Sequence, residues 1–89
     1  MRKAYHIDRE LIRYHLKLPK EHSSFLYFVL EGHDNLSFYS TLPHEEGSQF
    51  RELELFSPIE FTEDLDRLWQ HLEDSLKLQV LLKEIYKDI

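Results

Sequence analysis

The sequence contains no cysteine, which excludes disulfide bridges, thiolate metal ligands and cysteine nucleophiles. It has only two glycines, Gly32 and Gly47, isolated from one another, so neither a phosphate-cradling loop nor a glycine-flanked nucleophile elbow can be built. No stretch approaches the roughly 20 apolar residues of a membrane span. The first ten residues carry charges where a secretory leader requires an unbroken apolar run. These features predict a cytoplasmic protein with no membrane association. Basic residues are also scarce: 11 lysines and arginines stand against 17 acids, for a net charge of −6. They are scattered, and the densest pair, Arg2 and Lys3, lies at the terminus. Such a field repels phosphate backbones and argues against a nucleic-acid partner.

What the sequence does have is a hydrophobic skeleton. Its 42% hydrophobic and 13% aromatic content is far from that of a disordered chain. At 89 residues there is room for one core, hence one domain over 1–89, with the core at about 11–76 and an extension at 77–89. A chain this short without disulfides often gains stability by oligomerising, which makes a homodimer the expected state.

Ile12, Tyr14, Leu16 and Leu18 alternate with Arg13, His15 and Lys17, the pattern of a half-buried strand ended by Pro19. From Lys20 to Glu31 the spacing turns helical. Phe25, Phe28 and Val29, with Leu26 and Leu30, recur three and four apart, and Gly32 suits a left-handed closing position. Two strands follow, 36–42 and about 50–56, joined by a turn-rich loop at 43–48, so they are expected to pair as an antiparallel hairpin. Leu36, Phe38, Ser40 and Leu42 are expected on the inward face of the first, and Leu53 and Leu55 on that of the second.

Ser57, Pro58 and Glu60 compose a helix start of the capping-box type, with Phe56 and Phe61 as its hydrophobic staple; a start near Thr62 competes with it. Phe61, Leu65, Leu68, Leu72 and Leu76 then form one stripe, widened by Trp69. The final segment reads both ways. Leu78, Val80 and Leu82 alternate like a strand, while Leu78, Leu81, Leu82 and Ile85 are spaced like a helix. Its lysine, glutamate, glutamine and leucine content favours the helical tail over a fourth strand. The expected fold is therefore α+β: a β-α-β-β-α sandwich of three mainly antiparallel strands with both helices on one face.

The run from Phe25 to Gly32, the strand ending Ser40-Thr41-Leu42 and the third strand closing on Ser57-Pro58 resemble a small bacterial family of domains of unknown function. The resemblance covers roughly residues 12–76. It implies a ferredoxin-like or ACT-like two-layer arrangement, of a kind that binds small regulatory ligands or pairs edge to edge. It implies no activity for any residue. ACT domains commonly use glycine between the first strand and first helix, and here that stretch is Pro19-Lys20-Glu21-His22-Ser23-Ser24.

Six histidines invite a metal hypothesis, yet no two are spaced at i+2, i+3 or i+4. His15 and His22, with Glu21, are the nearest candidates, and solvated histidines are the simpler explanation. His33 and Asp34, just after Glu31-Gly32, fit a cation and its partner at a helix end better than a catalytic dyad. Ser23, Ser24 and Ser37 lack the turn that would make a nucleophile. The acids of the second helix, Glu63, Asp64, Asp66, Glu73 and Asp74, are expected to form a solvated face. Tyr27 and Tyr39 fall off the expected inward faces and are the first choices for a partner surface. Leu81, Leu82 and Ile85 are the candidates for a self-association surface. No catalytic residue, metal or cofactor is assigned. The expected function is a non-enzymatic protein-interaction or regulatory module, homodimeric or bound to another protein. The alternatives are an ACT-like small-metabolite pocket at a subunit interface and a histidine-dependent metal protein or enzyme.

Overall fold

The inward alternation of the first strand continues across a sheet of four strands in the computed structural model, which describes residues 9–32 and 38–88. The elements run β1 (Arg9–Pro19), α1 (Ser23–Glu31), β2 (Phe38–Thr41), β3 (Phe50–Pro58), α2 (Thr62–Leu76) and β4 (Gln79–Asp88). Single 3-10 turns, Lys20–His22 and Ile59–Phe61, lead into the two helices. The sheet order is β2-β3-β1-β4 and every neighbouring pair is antiparallel. Two split β-α-β units interlock, because β3 lies between β1 and β2 and β1 lies between β3 and β4. This is the ferredoxin-like topology.

One core accounts for the layers. Ile12, Tyr14, Leu16 and Leu18 of β1 and Leu53 and Leu55 of β3 are buried together with Leu26 and Leu30 of α1 and with Leu65, Trp69, Leu72 and Leu76 of α2. Both helices therefore cover the same face of the sheet. Directly opposed residues of an antiparallel ladder share a face, so the opposite face carries Arg13, His15 and Lys17 across from Phe56, Glu54 and Glu52.

The C-terminal segment is a strand, which corrects the expected helical tail. α2 stops because Lys77 adopts a left-handed conformation (φ 56°, ψ 37°), after which Leu78 is buried and β4 pairs along β1. Without it, β1, the strand richest in buried residues, would present a free edge; satisfying that ladder outweighs local helix propensity. Left-handed backbone costs a residue with a Cβ about 1–2 kcal/mol, whereas glycine adopts it freely but gains unfolded-state entropy. Lys77→Gly should therefore raise stability by about 0.5–1 kcal/mol. Urea denaturation checks this, and a lowered midpoint contradicts it.

Other boundaries shift for identifiable reasons. Ser57 does not cap α2; it is still in β3, fully buried opposite Ile12, and the helix begins at the competing position. There the Thr62 hydroxyl donates 2.6 Å to the Ile59 carbonyl rather than capping. Phe56, opposite Arg13, lies on the face away from Phe61 and cannot be its staple. Gly32 is right-handed (φ −72°), its N–H shared between the Phe28 and Val29 carbonyls, so α1 closes by tightening its last turn. Within α1 only Leu26 and Leu30 are fully buried in the core, with Tyr27 packed against it half-buried. Phe25 and Phe28, expected to face inward, are 52% and 73% exposed, because a nine-residue helix lying on a sheet buries a narrow stripe. The hairpin loop is as expected: Ser48 N–H bonds the Glu45 carbonyl at 3.0 Å across a turn in which Gly47 takes φ 84°. Leu36, Ser37, His33, Asp34 and His6 lie outside the described residues.

Candidate functional site

Strand β4 is an edge strand of ten residues, whereas the opposite edge, β2, has four. Along β4, Val80, Leu81, Leu82 and Ile85 are 38–56% exposed. The ladder with β1 skips one residue: His15 pairs with Leu82 and Leu16 with Val80, which leaves Leu81 as a bulge. Two charged residues of the kind that ordinarily guards such an edge, Lys83 and Glu84, are turned back onto the same chain. Lys83 Nζ donates to Asp66 Oδ2 at 2.6 Å, and Glu84 Oε2 accepts from Arg13 at 2.7 Å.

Beside the edge, on the helix side of the sheet, an open groove of about 610 Å³ separates β4 from α2. It is lined by Asp66, Trp69, Gln70 and Glu73 of α2 and by residues 78–81. The periodicity of α2 places Asp66, Gln70 and Glu73 on one flank, away from half-buried Leu68. Among the described residues, two acids and no base contribute to the lining.

At one end of this groove, Asp66 joins three elements. The Tyr14 hydroxyl of β1 donates to Oδ1 at 2.6 Å while Lys83 of β4 holds Oδ2. Trp69 meets Tyr14 edge-on, with ring centroids 5.5 Å apart at 77°, and its buried Nε1–H has no acceptor in hydrogen-bonding geometry. Burial pushes the Tyr14 phenol well up, as does its bond to Asp66, with a small opposing pull from the nearby indole. Burial alone would raise the Asp66 carboxyl; the hydrogen bonds from Lys83 and Tyr14 and the Lys83 charge outweigh it and hold the group below 3.8. Tyr14 is completely buried, so its hydroxyl cannot touch a substrate, and the cluster serves to fasten α2 to β1 and β4.

Other candidate residues are dispersed. His15 is on the open sheet face, its Nε2–H donating 2.7 Å to Glu52, beside the Arg13 ion pairs with Glu54 and Glu84. His22 lies in the turn before α1, on the far side of Pro19. Among the described residues no group of three or more histidines and acids is placed to hold a metal ion. Tyr27 and Tyr39 do come together, but not as two outward-facing rings. They stack at 5.6 Å and 7°, half-buried against the core, because Tyr39 pairs opposite Leu55 and so shares the helix-side face. Ser40, expected inward, takes the open face opposite Glu54, and the side chain of Phe38 lies outside the described residues. Burial and Glu31, which accepts from the hydroxyl at 3.3 Å, raise the Tyr39 phenol above 10.0.

The link of Tyr14, Asp66 and Lys83 was not anticipated. Tyr14 reads as core and Asp66 as one of many helix acids; only the strand assignment of β4 brings Lys83 to them. No helix among the described residues is long and apolar enough to cross a membrane. Compared with family models, curated proteins and solved structures, the chain matches none.

Proposed function

We propose that this chain is a non-enzymatic protein-interaction module that binds by strand addition at the free edge of β4. The observation that carries this reading is the edge itself: ten residues long, four apolar side chains exposed, and the charges of Lys83 and Glu84 engaged within the chain. An uncovered edge of this kind is a template for another strand, whose main-chain hydrogen bonds supply affinity. Pairing with β1 and the Lys83–Asp66 ion pair to α2 hold β4 in place as that template.

Leu82→Lys and Ile85→Lys test the reading. Each adds a desolvation penalty to strand addition without removing a buried side chain. Both variants are expected to retain the wild-type circular dichroism spectrum while losing the complexes, with self or with another protein, that the wild type forms. Variants that keep every such complex contradict it.

The groove between α2 and β4 supports a second reading, an ACT-like site for a small metabolite. A panel of amino acids and nucleotides then raises Tm for at least one compound, and an unchanged Tm across the panel removes that reading.

A further inference from the structure

We propose that the strand added at β4 belongs to a basic partner: an extended peptide that sets a lysine or arginine into the groove beside α2 and apolar side chains on the opposite face. The inference rests on the reading of β4 as the interaction edge and names the chemistry of its occupant. Charge complementarity points to it. The groove is lined by Asp66 and Glu73 and, among the described residues, by no base. Lys83 and the Tyr14 hydroxyl already engage Asp66. Glu73, exposed and in no ion pair among the described residues, is therefore the charge left to recruit a cation. It also stands in the last turn of α2, where free carbonyls make the helix end negative. No base occupies that turn, and Lys77, which follows it as the left-handed cap, does not line the groove. A second copy of this chain, at a net charge of −6, is a poor match for that field.

Strand geometry brings the cation there. Side chains of an added strand alternate between the two faces of the sheet, about 7 Å apart on each. On the helix side they meet Val80, which pairs opposite Leu16 and lines the groove, and then Ile85, opposite Ile12. A lysine or arginine stem lies over Val80 and Leu81 while its charged head reaches toward Glu73. On the open face the neighbour is Leu82, opposite His15 and 38% exposed, which an apolar side chain covers. The groove thus selects the charge, and the edge supplies main-chain hydrogen bonds to any extended segment.

The test is a titration of the untagged full chain with a blocked seven-residue peptide of alternating valine and threonine, lysine replacing the central threonine, and with the same peptide carrying glutamate there. Trp69, the sole tryptophan and part of the groove lining, reports binding by its fluorescence. The lysine peptide should give a saturable change with a Kd below about 1 mM. Because an exposed attraction gives way to a repulsion, the glutamate peptide should bind about tenfold more weakly. Glu73→Lys should reverse that preference, which a variant that merely folds badly cannot do, whereas Glu46→Lys, an equal change of net charge in the β2–β3 loop, should leave it. N-methylating the amides of the lysine peptide keeps its charge and removes its main-chain donors, and should abolish binding. No saturable change up to about 1 mM overturns the proposal, as does a preference that survives Glu73→Lys. If both peptides bind equally and N-methylation abolishes both, the basic partner fails while the edge reading stands. If the N-methylated peptide binds as well as its parent, the groove takes the cation without strand addition and both fail. A chain that dimerises in sedimentation equilibrium, loses the dimer on Ile85→Lys and ignores the peptide takes a second copy at this edge, which also overturns the basic partner.

Discussion

Tyr14→Ala lowers stability by about 4 kcal/mol, the range for removing a large buried aromatic side chain. At roughly 4–8 °C per kcal/mol for a domain of this length, Tm falls by roughly 15–30 °C. The ring is completely buried at the centre of β1, packed edge-on against Trp69, and its hydroxyl reaches Asp66 across to α2. Tyr14→Phe separates the two contributions. It keeps the packing and loses one hydrogen bond to a carboxylate, about 2 kcal/mol. Thermal unfolding of both variants checks the partition. Equal losses in the two would place the stabilisation in the hydroxyl rather than in the ring, and the burial of Tyr14 would then be of little consequence.

Asp66→Ala should destabilise the fold by about 2 kcal/mol at neutral pH, because it leaves the Tyr14 hydroxyl without an acceptor. Asp66 and Lys83 are themselves about a third and a half exposed, so water screens their ion pair and most of the effect resides in the tyrosine bond. The pH dependence has a definite sign. The folded carboxyl lies below 3.8, so its contribution is complete above that value and is lost as pH falls through the folded one. Tyr14 behaves oppositely: its folded phenol lies above 10.0, so its contribution holds below that pH and disappears as pH rises through the folded value. Asp66→Asn should therefore show a smaller drop in Tm between neutral pH and pH of about 3 than the wild type does. An equal drop in both would assign the acid sensitivity to other carboxylates.

Much of this architecture was legible in the sequence because burial sets side-chain periodicity. The inward residues of β1, the stripe of α2 and the hairpin between β2 and β3 all follow from alternation or three-and-four spacing. What escaped was decided by partners distant in the chain. Residues 78–85 have helical composition, and only the vacant edge of β1 makes them a strand. The Leu81 bulge further disguised them, since it breaks the alternation between Val80 and Leu82. Tyr39 looked outward because Phe38 and Leu36 are the more apolar positions, yet the register with Leu55 and the ring of Tyr27 turn it toward the helices. In α1, five apolar residues within six positions left the buried pair undetermined by spacing alone; Leu26 and Leu30 won, and the phenylalanines were left to solvent. Of the candidate surface, Leu81, Leu82 and Ile85 were visible as excess apolar residues. The groove and the cluster of Tyr14, Asp66 and Lys83 were not, because both exist only once β4 is placed against β1 and under α2.

Amide hydrogen exchange along β4, followed as the lysine peptide is added, tests the edge and its strand addition most directly. Amides of 82–88 that point away from β1 should exchange quickly in the protein alone and become protected as the peptide is added, while those of α1 and β2 stay unchanged. Exchange at those β4 amides that is equally fast at every peptide concentration would contradict strand addition at this edge, and uniform protection of all β4 amides in the protein alone would contradict the free edge itself.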